Sequence, residues 1–344
     1  MEAAAAREKI QALTEKIEEL NHLYYQNNES RVSDQEFDLL LKRLQQLEEA
    51  FPELADPNSP TQRVGGTITK NFAQATHQYR MLSLGNTYSP GELQDFDGRV
   101  AKGLGHRDYA YCCELKFDGV AISLIYEQGR LVRAVTRGDG TQGDVVTENV
   151  KTIRSIPLYI EHPDLPERFE VRGEVFLPRK EFDRINAERQ KAGEPLLANP
   201  RNAASGTLKM QDSSIVAKRR LDCYCYQLLG ENLGLDTHEE ATQRLEAWGF
   251  HVSPTYKKCA DIQEVFAYIE EWEEKRHSLP VDTDGVVLKL NDFTQREELG
   301  FTAKIPRWAI AYKYAAESMP TRLLGIQYQV GRTGLLRRWH NSKL

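Results

Sequence analysis

The segment Glu114-Leu115-Lys116-Phe117-Asp118-Gly119 brings an amine, two carboxylates and a glycine into six residues. A lysine amine can attack phosphorus and hold the group as a phosphoramidate, with a nearby carboxylate to organise it. The β-prone runs Tyr109 to Leu115 and Val120 to Tyr126 flank the segment, placing Lys116 at a strand end or in a tight turn where Gly119 can take a positive φ. A K-x-D-G match arises by chance ~0.1 times in such a length. Taken alone, the segment also reads as an ordinary β-turn.

A second pattern, Gly138-Asp139-Gly140-Thr141-Gln142-Gly143, fits G-x-G-x-x-G between a strand and a helix expected over 144–152. Such a fingerprint proposes a Rossmann unit, but only in the first turn of a parallel βαβ unit. Here the preceding strand is paired through the hairpin signal Glu127-Gln128-Gly129, so a glycine-rich turn shaping a nucleotide pocket is the better reading. Cys112, Cys113, Cys223, Cys225 and Cys259 contain no C-x-x-C pair and read as buried free thiols.

The elements that must position these residues follow from periodicity. Ile10, Leu13, Ile17, Leu20 and Tyr24 mark an amphipathic helix, and Phe37, Leu40, Leu41, Leu44 and Leu47 mark a second, capped by Ser33 or Asp34 with Glu36 completing a capping box. Strands are expected at 109–115, 120–126, 130–136, 169–177, 221–229, 285–290 and 324–330, and helices at 179–191, 239–248 and 262–277. Hairpins with interspersed helices predict an α+β fold of largely antiparallel sheets.

The 344 residues allow two or three domains, and their 40% apolar content excludes a disordered chain. No apolar run approaches the ~20 residues of a membrane-crossing helix, and Met1 to Leu20 has no signal-peptide pattern, so a cytoplasmic location is expected. Residues 1–60 hold 6 Lys or Arg against 13 Asp or Glu, while the remainder holds 39 against 38. An acidic appendage thus precedes a nearly neutral body, without the general basic excess of a dedicated nucleic-acid-binding domain.

Lys116-Phe117-Asp118-Gly119 resembles the nucleophile motif of the covalent nucleotidyltransferases, which comprise DNA ligases, RNA ligases and capping enzymes. Arg172-Gly173-Glu174-Val175, Asp284-Gly285-Val286-Val287-Leu288-Lys289 and Trp308-Ala309-Ile310-Ala311-Tyr312-Lys313 are similar to later motifs of that superfamily, in the same order. Ser59 to Gly66, Met81-Leu82-Ser83-Leu84, Arg137-Gly138-Asp139-Gly140, Ala198-Asn199-Pro200-Arg201-Asn202 and Val330-Gly331-Arg332-Thr333-Gly334 resemble the bacterial NAD-dependent DNA ligases in particular. The matches run from about Tyr24 to Gly334.

The resemblance implies a nucleotidyltransferase core of ATP-grasp-like ligase type over 69–317, behind a helical nicotinamide-recognition subdomain and linker over 1–68. Lys116 would attack the adenylyl phosphate of NAD, releasing nicotinamide mononucleotide and keeping AMP on its amine. A free lysine is overwhelmingly protonated at neutral pH, so burial or neighbouring cations are needed, for which Lys289 and Lys313 are the candidates. Those two lysines would also contact the phosphate, Glu114 and Tyr226 would receive the adenine, and Arg137 and Glu174 would hold the ribose. Asp118 would organise the lysine or a magnesium ion, and Ser83 and Leu84 match further cofactor contacts. On the helix pair, Tyr24, Tyr25, Asp34, Gln35, Glu36, Phe37 and Asp38 would receive the cationic nicotinamide, for which aromatic faces and carboxylates are suited.

Three residues depart from the family pattern. Phe37 replaces a usual tyrosine and keeps only its stacking face, Arg80 replaces a usual proline, and Lys209 stands for an arginine, losing bidentate phosphate contact. Residues 318–344 are expected to hold the first strand of a truncated OB-fold and a tail of vector origin from Leu335, with the zinc ligands of the family in a part the chain lacks. A monomer acting in DNA replication and repair is implied, with nicked double-stranded DNA as partner of the longer enzyme and weak DNA affinity here. An ATP-dependent nucleotidyltransferase of RNA ligase or capping type, or a non-catalytic nucleotide-binding module, are the alternatives.

Overall fold

The computed structural model describes residues 3–27, 32, 34–56, 58–61, 72–302, 305–314, 322–330 and 336–343. The side chains of residues 21–27, 34, 35 and 38, and of those after Tyr314, lie outside the description. The chain divides into two compact units, Met1–Lys313 and Tyr314–Leu344.

The two expected N-terminal helices form as α1 (Ala3–Asn27) and α2 (Asp34–Ala50). Ile10, Ile17 and Leu44 are buried between them, with Leu13, Phe37, Leu40 and Leu41 packed alongside. The expected Ser33 cap lies outside the described residues. β1 (Gln74–Thr76) and β2 (Gly85–Thr87) bracket an irregular strap, Tyr79 to Leu84. Helix α3 (Pro90–Leu104) escaped the periodicity reading, although Ser89 and Glu92 close a capping box at its start and Gly105, at φ 73°, ends it.

β3 (Tyr111–Phe117), β4 (Val120–Glu127) and β5 (Arg130–Thr136) follow, the last two joined by a two-residue turn with Gln128 at φ 49° and Gly129 at φ 75°. Two residues in succession at positive φ are what a twisted hairpin needs. Next come β6 (Gln142–Asp144) and α4 (Thr147–Val150), shorter than the helix expected over 144–152. β7 (Arg168–Phe176), α5 (Arg179–Ala192), α6 (Pro200–Leu208), α7 (Ser213–Lys218), β8 (Asp222–Leu229) and α8 (His238–Ala247) build the middle of the unit. It closes with β9 (Lys257–Cys259), α9 (Ile262–Lys275), β10 (Thr283–Leu290), α10 (Phe293–Leu299) and β11 (Ala309–Lys313).

The strands sort into two principal sheets, giving the expected α+β class. One has the order β5-β4-β7-β8, antiparallel throughout, and the other the order β2-β11-β10-β3-β9, with β2 parallel to β11. The main core lies on the four-stranded sheet, where Ile122, Leu124 and Val171 meet Ile185, Leu208, Val216 and Leu245 of the helices. Each such fully buried side chain contributes about 1.5–3 kcal/mol. A smaller cluster of Phe176, Tyr224 and Val281, with Phe117 against it, joins the sheets, its Phe117 and Tyr224 rings 4.7 Å apart.

This topology changes the meaning of K-x-D-G. β3 and β4 do not pair, so Lys116 to Gly119 is a passage between sheets and not a tight turn. Nor does Gly119 belong to the glycines of positive φ. Its necessity is spatial: a Cβ there would stand 2.3 Å from the Val175 carbonyl oxygen. The β5 strand pairs antiparallel with β4, which removes the Rossmann reading of Gly138 to Gly143. Gly138 at φ 56° and Gly140 at φ 90° instead make a tight turn, in which Asp139 Oδ1 accepts from the Thr141 and Gln142 amides.

In the second unit, β12 (Arg322–Val330) pairs antiparallel with β13 (Leu336–Lys343), from Val330 opposite Leu336 to Arg322 opposite Lys343. Most of the stretch read as a tail from Leu335 thus forms the strand β13. Pairing satisfies a row of backbone N–H and C=O groups that a lone strand would leave open.

Candidate active site

A cavity of about 1020 Å³ opens between the two sheets, at the upper end of the size expected of a ligand pocket. On its five-stranded wall the register arranges the chemistry in rows. Lys116 and Lys313 both lie opposite Gly285 of β10; in the next row Glu114 and Ala311 flank Val287, and beyond it Cys112 and Ala309 flank Lys289. Successive rows are about 7 Å apart along the strands.

The carboxylate that binds the first row comes from a bulge. Thr283 pairs with Phe117 and Gly285 with Lys116, leaving Asp284 as an extra residue. Its Oδ1 lies 3.0 Å from Lys116 Nζ, and its Oδ2 lies 3.2 Å from Lys313 Nζ. A second bulge, between Arg172 and Gly173 of β7, leaves Tyr226 of β8 as the extra residue, and Tyr226 lines the cavity. Sequence reasoning quoted Asp284 inside a motif but gave it no role. Strand alternation alone gives Asp284 and Gly285 opposite faces, and only the bulge restores the carboxylate to the lysine row.

Lys289 does not stand beside Lys116. Its buried Nζ donates to Glu114 Oε2 at 2.7 Å and to the Tyr226 carbonyl at 3.2 Å, under the Tyr226 ring at 5.1 Å. The other Glu114 oxygen lies 2.5 Å from His238 Nε2. Burial would push the Glu114 carboxyl up, yet Lys289 and His238 outweigh it and hold the group lowered to about 2. Burial, with the Lys289 charge, pushes the His238 imidazole down to about 3, and its Nε2 lies within reach of both Glu114 Oε1 and, at 3.2 Å, Lys289 Nζ. Cys112, Glu114 and His238 form a buried set of metal-ligand atoms within 4.8 Å of one another, but Lys289 already supplies its positive charge. His238, at the first position of α8, was missed because only its partner, 124 residues away, gives it meaning.

On the opposite wall, Glu174 of β7 is half-buried; Asp118, which is not among the cavity's lining residues, accepts at Oδ1 from Arg201 at 2.7 Å. Burial raises the Glu174 carboxyl to about 7, against the pull of the Lys116 and Arg201 charges. Its folded state thus favours the proton, and the stability held below its ordinary value of 4.5 is lost as the pH rises through about 7. Glu174→Gln is therefore expected to flatten the fall in Tm between pH 4.5 and about 8, with thermal denaturation at both pH values as the measurement. An unchanged slope would remove Glu174 as its source.

Arg137, exposed, and Gly138 line the cavity beside Ser83 and Leu84 of the strap, while Trp308 forms part of the far wall with the Arg296 guanidinium 4.5 Å from its ring centroid. Glu114, Lys116, Arg137, Glu174, Tyr226, Lys289 and Lys313 thus share one cavity. The helix-pair residues are not among its described lining. The side chains of Tyr24, Tyr25, Asp34, Gln35 and Asp38 lie outside the described residues, Glu36 is exposed, and the Phe37 ring faces the Arg154 guanidinium at 5.3 Å.

Residues 69–317 match the NAD-dependent DNA ligase adenylation domain, and residues 3–65 match the DNA ligase-like N-terminal NAD+-binding domain. The chain belongs to the NAD-dependent DNA ligase family. It is 55% identical to a DNA ligase of Cytophaga hutchinsonii over 97% of this chain and 50% of that protein. A DNA ligase of Parabacteroides distasonis is 56% identical over 95% of this chain and 49% of that one. The chain thus spans about half the length of the curated relatives it matches. A solved ATP-dependent DNA ligase from bacteriophage T7, in complex with ATP, is 13% identical over 71% of this chain and 77% of that one, with a TM-score of 0.35.

No described helix is long and apolar enough to cross a membrane. Membership of an NAD-dependent family implies NAD use.

Proposed function

We propose that this chain carries out the first half-reaction of an NAD-dependent DNA ligase, its own adenylation. The single observation that carries this reading is the row Lys116, Gly285, Lys313, with its Asp284 carboxylate, at one end of a nucleotide-sized cavity. Glu114 and Tyr226 receive the adenine, Arg137 and Glu174 the ribose, and Ser83 and Leu84 close the strap side. Lys116 Nζ, once released from Asp284 and deprotonated, attacks the adenylyl phosphorus. A P–N bond forms, the P–O bond to nicotinamide mononucleotide breaks, and that nucleotide leaves with the electron pair. Lys313, two strands from β3 in the same row, offsets the negative charge that builds on the phosphate oxygens.

Magnesium, which the family implies, takes oxygen donors, and Asp118 is the carboxylate that would hold it. When bound it would neutralise phosphate charge. The N-terminal residues over 1–68 receive the nicotinamide nucleotide, 69–317 form the adenylation domain, and 318–344 hold the first strand of an OB-fold. In a longer ligase the AMP passes to the 5′-phosphate of nicked DNA, with Arg201 and Lys209 near the backbone phosphates; this chain alone, a cytoplasmic monomer, holds DNA weakly.

Incubating the 344-residue chain with NAD or with ATP and measuring intact mass tests the reading. An AMP adduct from NAD and none from ATP is expected. An adduct from ATP alone assigns the chain to an ATP-dependent class, and none from either sinks the enzymatic reading.

A further inference from the structure

The Arg172 of the Arg172-Gly173-Glu174 motif has no part in the chemistry above, yet it is among the most constrained side chains of the cavity. It is 7% exposed, on a central strand of the four-stranded sheet. Its Nε donates to Glu170 Oε1 at 2.8 Å, an ion pair whose two side chains are both buried. The remaining nitrogens reach across to the strap: Nη1 donates to the Arg80 carbonyl at 3.2 Å and Nη2 to the Tyr79 carbonyl at 2.6 Å. Only a planar fork with several donors can pair a carboxylate on one edge and two successive carbonyls on the other.

Those two carbonyls begin the stretch that lines the cavity from Tyr79 to Leu84. The same stretch is pinned to the glycine turn, where the Met81 amide donates to Gly140 O at 2.9 Å, and just ahead of the stretch the His77 amide donates to Thr141 O at 2.8 Å. Gly140 leaves no room for a side chain there, since a Cβ would stand 2.7 Å from Met81 O. At its far end the strap enters β2, which runs parallel to β11 beside Lys313, with Thr87 opposite Tyr312. The strap therefore spans from the sheet of Arg172 to the sheet of the lysine row, and Arg172 holds its first anchor.

We infer that Arg172 is a positioning residue that clamps the strap Tyr79–Leu84 in its nucleotide-receiving shape, so that it sets the affinity for NAD and not the rate of phosphorus transfer. The inference rests on the adenylation reading above. A loose strap must be ordered when the dinucleotide binds, and that entropy is taken from the affinity. The bond-making row is held by the β3-β10-β11 ladder, at the end of the strap away from Arg172, so the loss falls on binding.

Arg172→Lys keeps a cation for Glu170 but cannot reach two carbonyls. In single-turnover adenylation of the 344-residue chain, it is expected to raise the half-saturating NAD concentration about 10-fold or more, with the plateau rate within about threefold of the parent. Amide hydrogen exchange of the peptide containing residues 79–84 is expected to speed up in the same variant without NAD. Glu170→Gln, which leaves the fork on the strap, is the control and is expected to change neither reading. Equal loss in both variants assigns Arg172 to general stability and overturns the inference. So does a fall in plateau rate at unchanged half-saturation, or unchanged exchange. Absence of an adduct in the parent overturns the adenylation reading instead, and the exchange measurement then still decides the clamp.

Discussion

Lys116→Ala is expected to abolish the AMP adduct, slowing its formation from NAD by at least about 10⁴-fold, as for other side chains that bond covalently to substrate. The amine is the atom that takes the phosphoryl group, and no described side chain can replace it in that row: Gly285 carries none, and Lys313 stands two strands from β3. Alanine alone would leave an ambiguity, since it also frees Asp284 from one of its two partners. Lys116→Arg separates the effects. Its guanidinium retains the charge and can still pair with Asp284, but it cannot lose a proton to become a nucleophile. Intact mass after overnight incubation with NAD should find no adduct on either variant, while near-native Tm in the arginine variant certifies the fold. An adduct on the arginine variant would mean that Lys116 only neutralises phosphate and that another group is the nucleophile.

That Lys116 could be singled out at all reflects where sequence information resides. Strand propensity and the 128–129 turn are local, so β3, β4, β5 and β7 emerge within about two residues of their places. Partnership between strands is not local. Nothing in Glu114 to Tyr126 says that β3 and β4 enter different sheets, which is why the passage at Asp118-Gly119 read as a turn. Bulges are equally hidden, because one unpaired residue reverses the face of its neighbours, and both Asp284 and Tyr226 owe their place in the cavity to one. The missed helix α3 was legible in its Ser89-Pro90-Gly91-Glu92 start, with its capping box and first-turn proline. Lys289 shows a different limit. Its motif marked it as a phosphate contact, but whether a buried ammonium turns to phosphate or to a carboxylate depends on Glu114 and His238, which are 175 and 51 residues distant in the chain.

That buried set yields the largest expected effect on stability. Lys289→Met should cost about 3–5 kcal/mol at pH 7, because it removes the cation from a carboxylate that has no solvent to turn to. Glu114→Gln should cost a comparable amount by orphaning Lys289, and the double variant less than the sum of the two, since each single change leaves a charge that the double change removes. The pH dependence separates this account from simple loss of packing. In the parent, unfolded His238 gains a proton below 6.5 that the folded imidazole refuses until about 3, so stability falls with pH across that window. Glu114, held near 2 against an ordinary 4.5, contributes stability that is lost as the pH falls through the range between them. Without Lys289, His238 can accept a proton beside Glu114 and restore a charge pair, so acid that weakens the parent should relieve the variant. The penalty for Lys289→Met, measured by urea unfolding at pH 7 and about pH 5, is therefore expected to shrink at the lower pH. An equal penalty at both would assign the cost to lost packing around the lysine stem and leave Glu114 without its electrostatic dependence on Lys289.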